Sequence, residues 1–240
     1  MNKVQRAIIM AAGFGKRMMP LTEHIPKPLI EVNGRKMIET VIESLHEQGI
    51  TKIYIVVGYL SEKFEYLEEK YQNITLIYNP YYDTCNNISS LYCAREYIGN
   101  SIILDGDQII YNSSILSPYF EKSGYNVVWT DNETKEWILS VDKNNNVISC
   151  NRNGGKNGWQ LYSVSRWTQD DGEMLKNHLE TEFIKNGNKQ IYWDDIALFC
   201  YPDNYELMIY EMKSSDIIEI DSIDELKQVD EEYENLKSED

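Results

Sequence analysis

Cysteine is scarce and scattered in this chain of 240 residues: Cys85, Cys93, Cys150 and Cys200 form no C-x-x-C pair and no short cluster with histidine. That excludes the familiar zinc-site spacings and thioredoxin-type redox chemistry. Histidine is as rare, at His24, His46 and His178, and none of the three falls in a motif. Positive charge is short as well. The 23 Lys and Arg against 39 Asp and Glu leave a formal net charge of -16, which argues against nucleic acid or an anionic membrane as a partner, since both need a basic face that displaces counterions. No run of about 18 apolar residues is present. The start, M-N-K-V-Q-R, leads through a short apolar run into a glycine loop, unlike a cleavable signal peptide. The expectation is a reduced, cytoplasmic protein with no nucleic-acid or membrane partner.

What is present is enough for one sizeable core, with 42% hydrophobic and 12% aromatic residues. Charge is unevenly placed. Met1 to Lys36 carries Lys3, Arg6, Lys16, Arg17, Lys27, Arg35 and Lys36 against Glu23 and Glu31, whereas acid gathers in Asp216 to Asp240. A local positive site on an acidic chain points to a small polyanion with a divalent metal.

That site centres on Ala7 to Leu29, A-I-I-M-A-A-G-F-G-K-R-M-M-P-L-T-E-H-I-P-K-P-L. Ala7 to Ala12 has strand length and runs into Gly13-Phe14-Gly15, where glycine permits positive φ and close approach of backbone to a ligand. Lys16, Arg17 and Lys27 follow, with Pro26 and Pro28 stiffening the backbone around Lys27. A strand followed by G-x-G is common to many α/β proteins. The dinucleotide fingerprint needs a third glycine where Met18 stands, and the Walker loop needs four residues between its glycines, so neither fits.

Further along, Met37, Ile38, Val41, Ile42 and Leu45 share a helical face closed by Gly49. Ile53 to Val57 reads as a strand, Phe64, Leu67 and Tyr71 as one face of a helix, Ile74 to Tyr78 as a strand, Leu91 to Ile98 as a helix and Ile102 to Leu104 as a strand. After Asn112 the strands shorten: Val127 to Thr130, Ile138 to Val141, Val147 to Cys150 and Leu161 to Val164. A helix over about Asp170 to Lys185, a segment around Tyr192 to Phe199 and a strand Ile217 to Ile220 follow. A last helix starts after Asp221, with Ser222 and Glu225 at capping-box spacing and Ile223, Leu226, Val229, Tyr233 and Leu236 as its stripe; its acidic end is expected to fray. The pattern predicts one α/β domain, residues 1–240. Its Rossmann-like sheet is mixed and mostly parallel, is flanked by helices, and carries a smaller antiparallel extension in the second half. Residues 1–112 and 113–240 would form its two halves. Ligands of such sheets gather at the carboxyl ends of strands, where the glycine loop and Asp105-Gly106-Asp107 both fall. Asp107 and Asp221, each following a strand, are hard oxygen donors suited to Mg²⁺.

The full string A-A-G-x-G-x-R-x-x-P-L-T with P-K-P resembles the nucleotidyltransferases that join a nucleoside triphosphate to a phosphorylated small molecule. Further matches are Asn86, Asn87, Ser90 and Leu91 to an N-N-x-x-S-L segment, Asp105 and Asp107 to D-x-D, Glu136-Trp137 to E-W, Tyr192-Trp193-Asp194 to Y-W-D, and Glu219 to Ser222 to E-I-D-S. Over nearly the whole chain the sequence is similar to bacterial choline-phosphate cytidylyltransferases. The resemblance implies CTP as donor, Mg²⁺ on Asp107 and Asp221, and Ala11, Ala12, Gly13, Gly15, Asn86, Asn87, Ser90 and Asp105 around the nucleotide. Lys16 and Arg17 would hold the β and γ phosphates, and Lys27 the α-phosphate or the incoming phosphate. Three departures stand out: Met19 stands where family members often carry a second arginine, Lys16 where several have a small residue, and Asp195 follows Y-W-D where the family has asparagine.

Trp137, Tyr192, Trp193, Asp194 and Asp195 form the expected acceptor set. A quaternary ammonium has no N-H to donate and is best held by aromatic faces and a carboxylate, whereas Asp195 keeps the primary amines of phosphoethanolamine and 2-aminoethylphosphonate open. Two other readings are a sugar-1-phosphate nucleotidylyltransferase, which would want hydroxyl-binding side chains in place of the aromatic set, and a non-catalytic nucleotide sensor, which should have lost a metal carboxylate or loop cation. The chain is expected to act as a monomer or homodimer.

Overall fold

In the computed structural model, which describes residues 1–236, the first apolar run forms β1 (Arg6–Ala11) inside the main sheet. Every residue from Ala7 to Ala11 is buried, as a strand covered on both faces requires. Helix α1 (Met37–Glu47) packs Met37, Ile38, Val41, Ile42 and Leu45 inward, and Gly49, at φ 76°, ends it in the left-handed region that favours glycine. Next come β2 (Ile53–Val57), α2 (Tyr66–Lys70) and β3 (Ile74–Tyr78). The helix expected over Phe64 to Tyr71 is divided into a 3-10 turn, Ser61–Phe64, and α2, yet Phe64 and Leu67 still enter one core.

The helix expected from Leu91 to Ile98 begins earlier, as α3 (Ile88–Cys93), and passes into a 3-10 turn at Arg95–Tyr97. Its first turn looks polar in sequence. The buried Ser89 and Ser90 accept hydrogen bonds from Asn79 Nδ2 at 3.0 and 3.1 Å, so they need no water. Strand β4 (Ser101–Asp105) completes a parallel set in the order β4-β1-β2-β3.

The second half extends the same sheet and adds a separate antiparallel pair of strands. It comprises β5 (Gln108–Ile110), β6 (Gly124–Thr130), β7 (Ile138–Val141), β8 (Val147–Asn151), β9 (Gly158–Trp167), α4 (Gln169–Glu180), β10 (Met208–Glu211), β11 (Ile217–Glu219) and α5 (Ile223–Val229). The long β9 runs antiparallel to β4, pairing Val164 with Leu104 and Trp167 with Ser101. It also joins β7 and β6 antiparallel, while β10 lies parallel to β6. Apolar clusters fill both faces, one under α1 and α2 and one under α3 and α4.

Helix α4 gives way to a π turn at Thr181–Lys185, so the expected helix to Lys185 changes winding in its last turn. The capping box of Ser222 and Glu225 starts α5. That helix stops at Val229, short of the Leu236 expected, because Asp230 accepts from the backbone N-H of Asn33 at 2.6 Å and of Glu232 at 3.0 Å. Tyr233 and Leu236 nevertheless pack on the small core beneath α5. The acidic end beyond them, residues 237–240, lies outside the described residues. Among the described residues no helix is long and apolar enough to cross a membrane.

Candidate active site

Two ladders bring distant residues together. Met10 pairs with Asp105 between β1 and β4, and the Gly106 N-H donates to Met10 O at 2.9 Å, so the glycine loop and Asp105-Gly106-Asp107 leave adjacent strands side by side. Glu219 pairs with Gln108 between β11 and β5, which carries Asp221 to the same place.

The loop is shaped around Lys27. Gly15 has φ 63°, and a Cβ there would stand 2.9 Å from Lys27 Cβ and 3.0 Å from Thr22 Cγ2, so only glycine fits. Its carbonyl accepts from Thr22 Oγ1 at 2.9 Å. Lys27 is buried, with Nζ 2.5 Å from Asp107 Oδ2 and 2.6 Å from Asp221 Oδ1. Burial alone would lower its pKa, but the two carboxylates overcome this and hold it above the ordinary lysine value. Burial likewise opposes the charge of Asp221, and Lys27 and Arg17 outweigh it to hold that carboxyl below its usual range. Arg17 Nη2 is 2.9 Å from Asp221 Oδ1 with most of its side chain in solvent, and Lys16 extends over the Phe14 ring at 5.6 Å.

Two adjoining cavities open here. One, of about 300 Å³, is lined by Ala11, Gly13, Gly15, Lys16, Arg17 and Lys27 and bounded by Asp107 and Asp221. The other, of about 390 Å³, is lined by Asn87, Asp105, Glu136, Trp137, Ser163, Tyr192, Asp194 and Glu219. Arg17, Asp107 and Asp221 belong to both. The first is a basic loop pocket suited to phosphates; the second is acidic. Burial, reinforced by Asp107, pushes Asp105 up to about 7. Burial also raises Glu219 and Asp194, with Asp107 and Asp105 as their respective neighbours, and it raises Glu136 beside Asp221. Asp194 Oδ1 and Asp107 Oδ1 are buried without a hydrogen-bond partner. Such a chamber is stabilised by a cation. Trp137 and Tyr192 stand at 84° to each other, ring centroids 5.7 Å apart, at its edge.

Not every expected site residue reaches these cavities. Trp193 is 2% exposed and packs against Tyr125 and Trp167, so it belongs to the core and not to the acceptor wall. Asp195 is buried beside Arg152, at 2.6 Å, and lines neither cavity. Ala12 is buried, its carbonyl accepting from Tyr59 N-H, and Ser90 faces Asn79. Asn86 donates to Gln190 O at 3.1 Å, and Asn87 Oδ1 accepts from the Trp193 N-H at 2.9 Å; both tie the segment around Ile88 to the turn before Trp193. Conversely, Glu219 and Glu136 line the acidic cavity without having been singled out as ligands. Oxygens of Glu219, Asp105 and Asp107 lie within 4.8 Å of one another. Its position two residues before Asp221, across the strand pleat from Ile218, was the available signal.

Fold, loop and twin cavities define a nucleotidyltransferase, and the chain belongs to the MobA-like NTP transferase domain family, whose profile matches residues 7–167. It is 36% identical to a 2-aminoethylphosphonate cytidylyltransferase of Lancefieldella rimae, over 95% of this chain and 92% of that protein. It is 35% identical to a choline-phosphate cytidylyltransferase of Streptococcus pneumoniae, over 96% and 99%. The solved structure of the CTP:phosphocholine cytidylyltransferase from Streptococcus pneumoniae superposes with a TM-score of 0.89 at 34% identity, covering 95% of this chain and 98% of that one. The chain is an enzyme of this class.

Proposed function

We propose that the enzyme transfers the cytidylyl group of CTP to phosphocholine, releasing pyrophosphate and forming CDP-choline. The single observation that carries this reading is the pair of cavities sharing Arg17, Asp107 and Asp221, one basic and shaped for a triphosphate, the other acidic and walled by Trp137 and Tyr192. An acceptor with a phosphate at one end and a fixed positive charge at the other matches that polarity. Relatives named as cytidylyltransferases of choline phosphate and of 2-aminoethylphosphonate support cytidine as the transferred nucleoside.

An acceptor phosphate oxygen attacks the α-phosphorus as the bond to the β-phosphate oxygen breaks, and pyrophosphate leaves with that electron pair. The acceptor is already an anion, so no general base is required; catalysis rests on positioning and charge. Gly13 and Gly15 let the backbone approach the triphosphate, Arg17 and Lys16 neutralise its outer phosphates, and Lys27 lies at the seam of the cavities. Hard carboxylate donors, the unpartnered Asp107 Oδ1 and the convergence of Asp107 and Asp221 on one ammonium fit a magnesium ion. Asp107 and Asp221 would hold it, with Asp105 and Glu219 grouped beside Asp107, and when bound it would supply charge neutralisation on the phosphate oxygens.

A second reading, with phosphoethanolamine or 2-aminoethylphosphonate as acceptor, is favoured by the number of carboxylates around the chamber, since a primary ammonium uses hydrogen bonds that trimethylammonium cannot make. Steady-state kinetics of wild type and Trp137→Leu with each acceptor decide between them. Leucine keeps apolar bulk without a ring face, so the KM for phosphocholine should rise about tenfold and that for the primary amines far less. Wild-type preference for a primary amine, with Trp137→Leu harmless, would replace the choline reading.

A further inference from the structure

Asp195 lies outside the cavities, yet it touches what holds both aromatic walls. Its Oδ2 accepts from the backbone N-H of Tyr192 at 2.9 Å, and its own N-H donates to Tyr192 O at 3.2 Å, closing a turn that carries one wall. Its Oδ1 stands 2.6 Å from Arg152 Nη2. The Arg152 guanidinium lies 3.8 Å from the Phe199 ring centroid and 5.6 Å from that of Trp137, the other wall. Phe199 in turn stands at 84° to Trp137, 5.4 Å away. One buried carboxylate is therefore connected to Tyr192 through the backbone and to Trp137 through a planar cation. Asp195 is 2% exposed, whereas the Arg152 side chain is 45% exposed. The acid end of the contact is enclosed, and the arginine end faces solvent.

We propose that Asp195 and Arg152 form a bracket that sets the spacing of Trp137 and Tyr192, making them positioning residues that determine which head group the acceptor site takes. The inference rests on the reading of the acidic chamber as a head-group site. An asparagine at 195 could still accept from Tyr192 N-H but would not hold a guanidinium by charge. Arg152 would then be free to leave Trp137, and the corner between the walls would loosen. Arg152 touches neither cavity, so it acts through the ring.

The test is a double-mutant cycle of Asp195→Asn and Arg152→Met, with KM and kcat measured for CTP, phosphocholine and phosphoethanolamine. Each single variant should raise the KM of the preferred acceptor about tenfold, and the double variant should be no worse than either. The KM for CTP should stay within about twofold, which also shows that the fold survives. Arg152→Lys, which keeps the charge beside Asp195, should recover part of the loss. Additive effects, equal changes in the KM for CTP, or an unmoved acceptor KM would overturn the bracket while leaving the function standing. A wild-type enzyme that takes sugar 1-phosphates and refuses both amines would overturn the head-group reading and the bracket with it.

Discussion

At the scale of single residues, charge is the organising quantity. Asp107 and Asp221 are 114 positions apart in sequence and meet on one lysine ammonium at 2.5 and 2.6 Å. Replacing either by asparagine takes one carboxylate from the cavity wall and leaves the other on Lys27, so it should lower kcat roughly 100-fold or more while the far-ultraviolet circular dichroism stays that of wild type. Near-normal turnover would remove the residue from the proposed machinery. Their candidacy was legible because both follow strands and match a known pattern; Glu219 falls in the same E-I-D-S match, but that its carboxylate joins Asp105 and Asp107 shows only once the register with Gln108 is known. Trp193 misled for the converse reason. It adjoins Tyr192 and Asp194 in sequence, but in the turn its ring points to Tyr125 and Trp167.

Among elements, the loop after β1 is the most constrained. Gly15→Ala would place a methyl group against Lys27 at φ 63°, a strain of about 1–2 kcal/mol. It should lower the thermal midpoint and reduce kcat/KM for CTP more than the KM for the acceptor; an unaffected CTP response would mean that the loop does not carry the phosphates. Helix α4 offers a pH test at its carboxyl end, where His178 stacks on Tyr201 at 3.8 Å and its Nδ1 lies 2.8 Å from Tyr205 Oη. Burial lowers its pKa, with Glu182 opposing. The folded state thus prefers the neutral ring. Its contribution is complete above the unfolded value of about 6.5 and declines as pH falls below it. His178→Gln should flatten the fall in thermal midpoint between pH 7 and 5.5, and parallel curves would contradict this. The strands of the parallel set were legible to within a residue or so, β2 and β3 at their very ends. The three-residue β5 and the strand β10 escaped notice, because their pairing with β11 and β6 is long-range and no local periodicity announces it.

For the whole molecule, Arg166 fastens β9 to β6 and to the segment before it within the second half. Its buried guanidinium donates to Ser117 O, Asn126 Oδ1 and Ile115 O at 3.0, 2.6 and 2.6 Å, and burial, only partly offset by Tyr210, pulls it down to about 10. Arg166→Met would leave these acceptors unpaired and should cost about 2–4 kcal/mol of stability in a denaturant titration; a loss below about 1 kcal/mol would show that water replaces the contacts. The composition declared the polarity of this molecule early, with its basic first segment on an acidic chain. It could not declare that the acid would partly return to the site, because Asp105, Glu136, Asp194 and Glu219 converge only through the β4, β9 and β11 pairings. The measurement that tests the central claim most directly is phosphorus NMR of the enzyme with CTP, Mg²⁺ and an equimolar mixture of phosphocholine, phosphoethanolamine, 2-aminoethylphosphonate and glucose 1-phosphate. CDP-choline and pyrophosphate should appear first and in equal amounts; a nucleotide sugar as the leading product, or CTP left intact, would contradict cytidylyl transfer to a cationic phosphorylated acceptor.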